Sequence, residues 1–358
     1  MTVRRSSIAI AAALRTTAVA CARLVGLGDP PLVDDGAASP SPRADAGTGD
    51  AVPGGDVASA ADATAAADAN ADAGPDGGDA DRAAAAGPPC DPGAPFGTPL
   101  PVGSLNTDQD EFDARFTEDE LTVYFARSID APGTGNLAVY VATRRDVNTS
   151  FGPATTIPVV DVAFTSHFAP SITHDGLALY FNERPDTSGA TMDIWVAHRT
   201  SANGPFSEVE PVAHVNSARN NANPIVTPDE SALYFYSDRS GQKLIYVAAR
   251  TTTGEFGPPA SIPAIDSDED GNVAVNADQT TIAFSSTRTP RRYDDDIWIS
   301  HRADTSSDWS PPVNVAEVNS YATDNPTWLS PDGCRMYIQS DRDGADFDIY
   351  VATRARSR

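Results

Sequence analysis

Five polar residues occupy equivalent positions in the sequence and could together form a binding site. Each lies eight residues before an aspartate that recurs along the chain: Glu111, His167, Asn221, Asp270 and Asp324. The five positions hold four residue types, whereas the sequence around them is regular. A ring of such groups could bind a sugar, a cation or a basic peptide segment. An ordinary solvated surface without a ligand is the alternative interpretation.

Carboxylates at or near these positions could instead hydrolyse a glycosidic bond. That chemistry uses two carboxyl groups, one of which has a pKa raised by burial so that it can act as an acid. Asp113, Asp270 and Asp324 would be the first residues to test. The sequence shows no sign of such a pairing, and it lacks the G-x-S-x-G, H-E-x-x-H, P-loop and C-x-x-C motifs. We therefore assign no catalytic residue, and expect a non-catalytic binding or scaffolding protein, with a glycoside-acting enzyme as the alternative.

Two acidic stretches resemble calcium-binding loops. They are "DSDEDGN" at 266–272 and "DRDGADFD" at 341–348. The first lacks the bidentate glutamate of an EF-hand at its twelfth position, and no flanking helices are evident. The five histidines have no metal-ligand spacing. We expect no metal and no cofactor, and leave calcium open as an alternative.

The aspartates that define these positions belong to an internal repeat. They lie 49 to 56 residues apart, at Asp119, Asp175, Asp229, Asp278 and Asp332. After each of them comes an alternating apolar run such as "LALYFNER" or "RMYIQSDR", and later a second run such as "DIWVAHR" or "DIYVATR". Alternation bounded by turn residues predicts β-strands. The aspartates themselves are predicted to fix tight turns rather than to perform chemistry.

Two more strands complete each repeat. An apolar stretch such as "NPIVTPD" precedes each turn, and a proline-containing stretch such as "FSEVEPVAHVN" follows the second run. Proline is tolerated at the edge of a sheet, which makes the last stretch an edge strand. Five repeats of four antiparallel strands predict an all-β, five-bladed β-propeller.

The last repeat lacks its fourth strand, since the sequence stops soon after "DIYVATR". The stretch "FGTPLPVGSLN" at 96–106 has the missing pattern, so the N-terminal strand is predicted to complete the last blade and close the ring. Cys90 and Cys334 would then lie on one rim, roughly 10 Å apart. We predict a disulfide between them, with two free thiols as the alternative.

The motifs "SPDG", "SDRDG" and "DIYVATR" resemble the TolB-type, WD-like β-propeller repeat. The resemblance covers residues 96–358 and implies the propeller fold. Proteins with this repeat include scaffolds, periplasmic lipoproteins and the propeller parts of peptidases, so the resemblance does not define one function. TolB itself has a structured α/β domain before six blades, and its role in a transport complex is therefore not transferred to this chain.

The residues before the repeats divide into two segments. In residues 1–21 two arginines precede an apolar run, and "AVAC" follows it, which predicts an export signal with a lipobox and lipidation of Cys21. Residues 22–92 consist mostly of Ala, Asp, Gly and Pro and are predicted to form a disordered linker. The propeller is assigned to residues 93–358.

The charge of the chain limits its partners. The formal net charge is -25 at pH 7, which opposes binding to nucleic acid or to an anionic membrane surface. We expect a protein or glycan ligand, a monomeric state, and membrane attachment only through a lipid on Cys21. The expected location is the periplasm, the outer membrane or the cell surface of a bacterium.

Overall fold

The computed structural model describes residues 90–91, 93–129, 136–158, 165–185, 189–267, 269–290, 295–344 and 346–355. The regular elements in these ranges are all β-strands, and none of the described residues forms a helix capable of crossing a membrane. The predictions for the export signal, for lipidation of Cys21 and for nearly all of the linker lie outside the described residues.

Twenty strands follow one another along the described chain. In chain order they are β1 (Leu100–Pro101), β2 (Glu111–Phe116), β3 (Thr122–Ser128), β4 (Leu137–Thr143), β5 (Thr155–Thr156), β6 (Thr165–Ile172), β7 (Ala178–Pro185), β8 (Asp193–His198), β9 (Glu208–Pro211), β10 (Asn221–Val226), β11 (Ala232–Ser237), β12 (Leu244–Ala249), β13 (Ala260–Ser261), β14 (Asp270–Val275), β15 (Thr281–Ser286), β16 (Asp296–His301), β17 (Val313–Asn314), β18 (Asp324–Leu329), β19 (Arg335–Ser340) and β20 (Asp348–Thr353).

These strands form five antiparallel sheets of four strands each. Blades 1 to 4 are β2–β5, β6–β9, β10–β13 and β14–β17, and blade 5 has the order β1-β20-β19-β18. The inner strands β2, β6, β10, β14 and β18 contact one another in sequence, and β18 contacts β2. The predicted five-bladed propeller is therefore confirmed, and the inner strands surround a central channel.

A separate group of buried apolar side chains fills each of the five interfaces between neighbouring blades. The interface between blades 5 and 1 contains Phe116, Phe125, Tyr337 and Ile349. The rings of Phe116 and Tyr337 lie 3.9 Å apart between centroids. The last blade therefore packs against the first through an apolar interface, as the other neighbouring blades do. Burial of apolar surface stabilises all five interfaces of the ring.

The N-terminal strand completes blade 5, as the sequence predicts. Leu100 lies opposite Val351, the Val102 N–H donates to the Ile349 carbonyl at 2.8 Å, and the Gly97 N–H donates to the Thr353 carbonyl at 2.8 Å. Arg335 of blade 5 also forms an ion pair with the buried Glu120 of blade 1. Both ends of the repeat region are thus joined by backbone and side-chain bonds.

The predicted disulfide between Cys90 and Cys334 is present, with its Cα atoms 5.8 Å apart. Cys334 is buried directly before β19, two residues after the last turn aspartate. The bond therefore fixes the chain just before the strand that closes the ring.

The five repeated aspartates hold the turns between the first and second strands of the blades. Asp332 is representative: its Oδ1 accepts the Ser330 hydroxyl at 2.5 Å and the Cys334 N–H at 3.0 Å. The other four each accept a hydroxyl and a backbone N–H in the same turn. These bonds agree with the predicted structural role.

Candidate functional site

The five residues predicted to form a binding ring lie at or near the starts of the inner strands, but four of them do not face solvent. Glu111, Asn221, Asp270 and Asp324 are fully buried. His167 is half-buried, and its ring lies 5.5 Å from that of Phe181 in an edge-on arrangement. The five thus lie at one end of the inner strands, and the side chains of four of them are buried.

Three of the buried residues are carboxylates, and an arginine of the same blade binds each one. Asp324 accepts Arg342 Nη2 at 2.5 Å and the Ser340 hydroxyl at 2.7 Å. The other two pairs are Arg288 with Asp270 at 2.6 Å and Arg127 with Glu111 at 2.7 Å. In blade 3 the equivalent residue is neutral, and Arg239 donates to Asn221 Oδ1 at 2.8 Å.

Each arginine of this group also binds the chain that leads to the inner strand. Arg342 donates to the Val318 carbonyl at 2.9 Å and lies 5.0 Å from the centre of the Tyr350 ring. The carboxylate of Asp324 accepts the Ser320 N–H at 2.5 Å. We call this arrangement, present in blades 1, 3, 4 and 5, the arginine clasp. The clasp gives a structural reason for the polarity that these four positions share, and ligand binding by them stays a prediction.

The centre of the channel has a second polar group, two residues further along the inner strands. Every inner strand carries a bulge there, and the backbone is left-handed at Asp113 (φ 53°), Ala169 (φ 51°) and Asn223 (φ 55°). Asn223 Nδ2 donates to Asn272 Oδ1 at 2.5 Å, and Asn272 Nδ2 donates to Asp113 Oδ1 at 3.5 Å. The bulges therefore bring polar residues of blades 1, 3 and 4 together on the axis.

Asp113 is the carboxyl group in this central set, and burial raises its pKa from 3.8 to about 6. The positive charge of Arg115 and the Ala169 N–H act in the opposite direction, with smaller effects. A carboxyl group whose pKa lies this close to neutral pH could act as a proton donor or as a ligand for a cation or hydroxyl. Of the three carboxylates considered for catalysis, Asp270 and Asp324 are bound by arginine, whereas Asp113 lies on the axis.

The pKa of Asp113 leads to a prediction about stability. Between pH 4 and pH 6 the folded protein binds more protons at this site than the unfolded chain does, so stability falls as pH rises. Asp113→Asn resembles the protonated form at every pH. At pH 8 we expect the variant to be more stable than the wild type by up to about 3 kcal/mol, and at pH 4 to be equally stable. Urea unfolding at both pH values measures the difference; a gain independent of pH would contradict the assignment.

Blade 2 departs from the arginine clasp, and the departure places two carboxylates side by side. Glu183 lies opposite Asp193 in the β7–β8 pair and opposite His167 in the β6–β7 pair. Burial is the main cause that raises the pKa of both carboxyl groups, and Asp193 adds to the effect on Glu183. The sequence analysis missed Glu183. The sequence could have indicated it, because Glu183 occupies a position that holds serine in three other repeats, at Ser237, Ser286 and Ser340.

The opposite end of the channel contains a cavity of about 60 Å³, to which all five blades contribute. We call it the turn cavity because the turns after the inner strands form its rim. Its walls include Phe116, Ile225 and Trp328, and Arg115 lies against it. The sequence analysis did not identify Arg115, whose position is set by the bulge at Asp113.

No group of three or more His, Cys, Asp or Glu side chains among the described residues is arranged to hold a metal ion. In the first acidic stretch, Asp270 already binds Ser267 and Arg288. Residues 268 and 345, within the two acidic stretches, lie outside the described residues.

The fold and the channel define the class of the protein: a closed, five-bladed β-propeller with a polar axis. No family model matches the sequence, and no curated protein matches it either. Solved structures do match the fold. The GH43_1 enzyme from Xanthomonas citri is similar with a TM-score of 0.50 at 15% identity, covering 71% of this chain and 89% of that chain.

Two further structures illustrate the range of similar proteins. TolB from Acinetobacter baumannii gives a TM-score of 0.43 at 15% identity, covering 71% of this chain and 57% of that chain. The catalytic domain of Coprinopsis cinerea GH62 α-L-arabinofuranosidase gives 0.46 at 10% identity, covering 74% of this chain and 98% of that one. The match therefore covers little more than half the length of TolB from Acinetobacter baumannii. At these identities the similarity concerns the fold alone.

Proposed function

We propose that the propeller is a non-catalytic binding protein whose channel receives a ligand. The supporting observation is that arginines bind three of the inner-strand carboxylates. Glu111, Asp270 and Asp324 are bound by arginines, and the central set around Asp113 consists otherwise of amides. Hydrolysis of glycosides by the usual mechanism needs a second carboxyl group facing the first across the substrate.

A glycoside-acting enzyme is the second candidate function, and two observations favour it. The raised pKa of Asp113 suits a general acid, and the pair of Glu183 and Asp193 could supply another carboxylate from blade 2. The carboxylates to test are thus Asp113, Glu183 and Asp193, rather than the clasp residues Asp270 and Asp324.

A glycan-hydrolysis screen separates the two functions. We expect the wild-type protein to release no sugar from a panel of plant and bacterial glycans, because the central site lacks a paired carboxylate. Asp113→Asn and Glu183→Gln should therefore equal the wild type, as should the exposed control Glu208→Gln. Hydrolysis that falls at least 100-fold in Asp113→Asn or Glu183→Gln but not in Glu208→Gln would contradict the proposal.

The proposal includes a location outside the cytoplasm. The sequence of residues 1–21 favours export, and disulfides such as Cys90–Cys334 persist in oxidising compartments. A lipid on Cys21 would attach the protein to a membrane, with residues 22–92 as the linker. The intact mass of the exported protein tests this attachment: an acylated N-terminal Cys21 would support it, and an unmodified chain would contradict it.

A further inference from the structure

Arg115 is a buried cation whose hydrogen-bond donors are unused. The residue is 2% exposed, and its Nε, Nη1 and Nη2 atoms have no hydrogen-bond partner. Burial lowers the pKa of the guanidinium to about 10, so it remains charged at neutral pH. Asp113 interacts with it electrostatically, but no ion pair joins the two side chains. A buried charge without direct partners is costly, and such sites usually hold a ligand or water.

Two hydroxyl groups lie with Arg115 around the turn cavity. Thr327 is fully buried, and its Oγ1 has no partner. Ser171 accepts the Val226 N–H at 3.0 Å through its hydroxyl oxygen, and it retains its own proton to donate. Blades 1, 2 and 5 thus each contribute one residue with a side-chain donor to the lining of the same cavity.

The rest of the turn cavity limits what these donors can bind. Its volume of about 60 Å³ would hold about four water molecules or a small group. Phe116, Ile225 and Trp328 form apolar walls, which suit a short hydrocarbon chain. The neighbouring Asp113 and the rim residue Glu118 disfavour an anion of high charge.

We propose that the turn cavity binds a carboxylate group attached to a short apolar chain. The guanidinium of Arg115 would bind both oxygens, the geometry that makes arginine selective for carboxylates, and Thr327 would donate a third bond. The group could belong to a small organic acid or to the C-terminus of a peptide. This inference deepens the proposed binding function and rests on it.

Titration with butyrate tests the inference, with chloride at equal ionic strength as the comparison. We expect saturable binding of butyrate by calorimetry, together with a shift of the Arg115 Nε–H signal in NMR spectra, and neither effect with chloride. Arg115→Met should weaken butyrate binding at least tenfold, and Arg145→Met, which removes a largely exposed arginine, should leave it unchanged.

Two further variants keep the test independent of the folding of Arg115→Met. Thr327→Val preserves the size of the side chain and should weaken binding several-fold, because it removes the third donor. Asp113→Asn removes a competing negative charge and should strengthen binding at neutral pH. Equal binding of butyrate by the wild type, Arg115→Met and Thr327→Val would overturn the inference.

A pair of peptides distinguishes the two sources of the carboxylate. A tripeptide ending in leucine is compared with the same tripeptide amidated at its C-terminus. Binding of the free acid alone assigns the cavity to a chain terminus, whereas binding of butyrate but not of the tripeptide assigns it to a small acid. If none of these probes binds and no glycan is hydrolysed, only the inference is overturned; hydrolysis that depends on Asp113 would overturn the proposed function instead.

Discussion

Replacing both Cys90 and Cys334 with alanine is expected to lower the free energy of unfolding by about 3 to 5 kcal/mol. The disulfide joins residues 244 positions apart in the sequence, so its loss frees a long loop in the unfolded chain. Loss of the disulfide also frees the segment before β1, the strand that pairs with β20. Urea unfolding of the oxidised wild type and of the double variant measures the difference.

The reduced wild-type protein provides the matched control for this comparison. Reductant should lower the stability of the wild type to that of the double variant, and should leave the double variant unchanged. Equal stability of the oxidised wild type and the double variant would show that the bond contributes nothing to closure of the ring.

The second large effect concerns the arginine clasp. Asp324→Ala is expected to lower the free energy of unfolding by about 3 to 5 kcal/mol, because it leaves the charge of Arg342 buried without its partner. Arg342→Met should lower the free energy of unfolding by a similar amount, because it leaves the buried carboxylate of Asp324 without its cation. The double variant should be far less destabilised than the sum of the two, as thermal or urea unfolding would show.

An exposed carboxylate gives the control for the clasp. Glu208→Ala on β9 should change stability by no more than about 0.5 kcal/mol. If Asp324→Ala were as stable as this control while binding of a ligand was lost, the original prediction that Asp324 belongs to a binding ring would be correct and the structural role would be wrong.

The architecture could be predicted because it is repetitive. Five copies of one strand and turn pattern define the blades, and the missing fourth strand after "DIYVATR" identifies 96–106 as its replacement. The same reasoning places Cys90 beside Cys334. In each case the position of a residue follows from the period alone, without knowledge of side-chain packing.

The candidate site could be predicted only in part, because it depends on pairing and on local backbone distortion. The sequence indicates that Asp270 and Asp324 begin inner strands, but not that Arg288 and Arg342, 18 residues later in each case, bind them. Asp113 adopts a left-handed backbone that glycine would usually mark. This distortion determines where Arg115 lies, so the turn cavity could not be inferred from alternation.

The proposed carboxylate site depends on the adjacency of blades 1 and 5, since Arg115 comes from one and Thr327 from the other. Hydrogen exchange at the backbone amides of Gly97 and Val102, in the oxidised wild type and in the Cys90→Ala, Cys334→Ala variant, tests this adjacency most directly. We predict that in the wild type both amides exchange as slowly as those within β20, because they donate to Thr353 and Ile349, and that they exchange faster in the variant. Exchange at the rate of an unstructured chain in the oxidised wild type would contradict the closed ring of five blades.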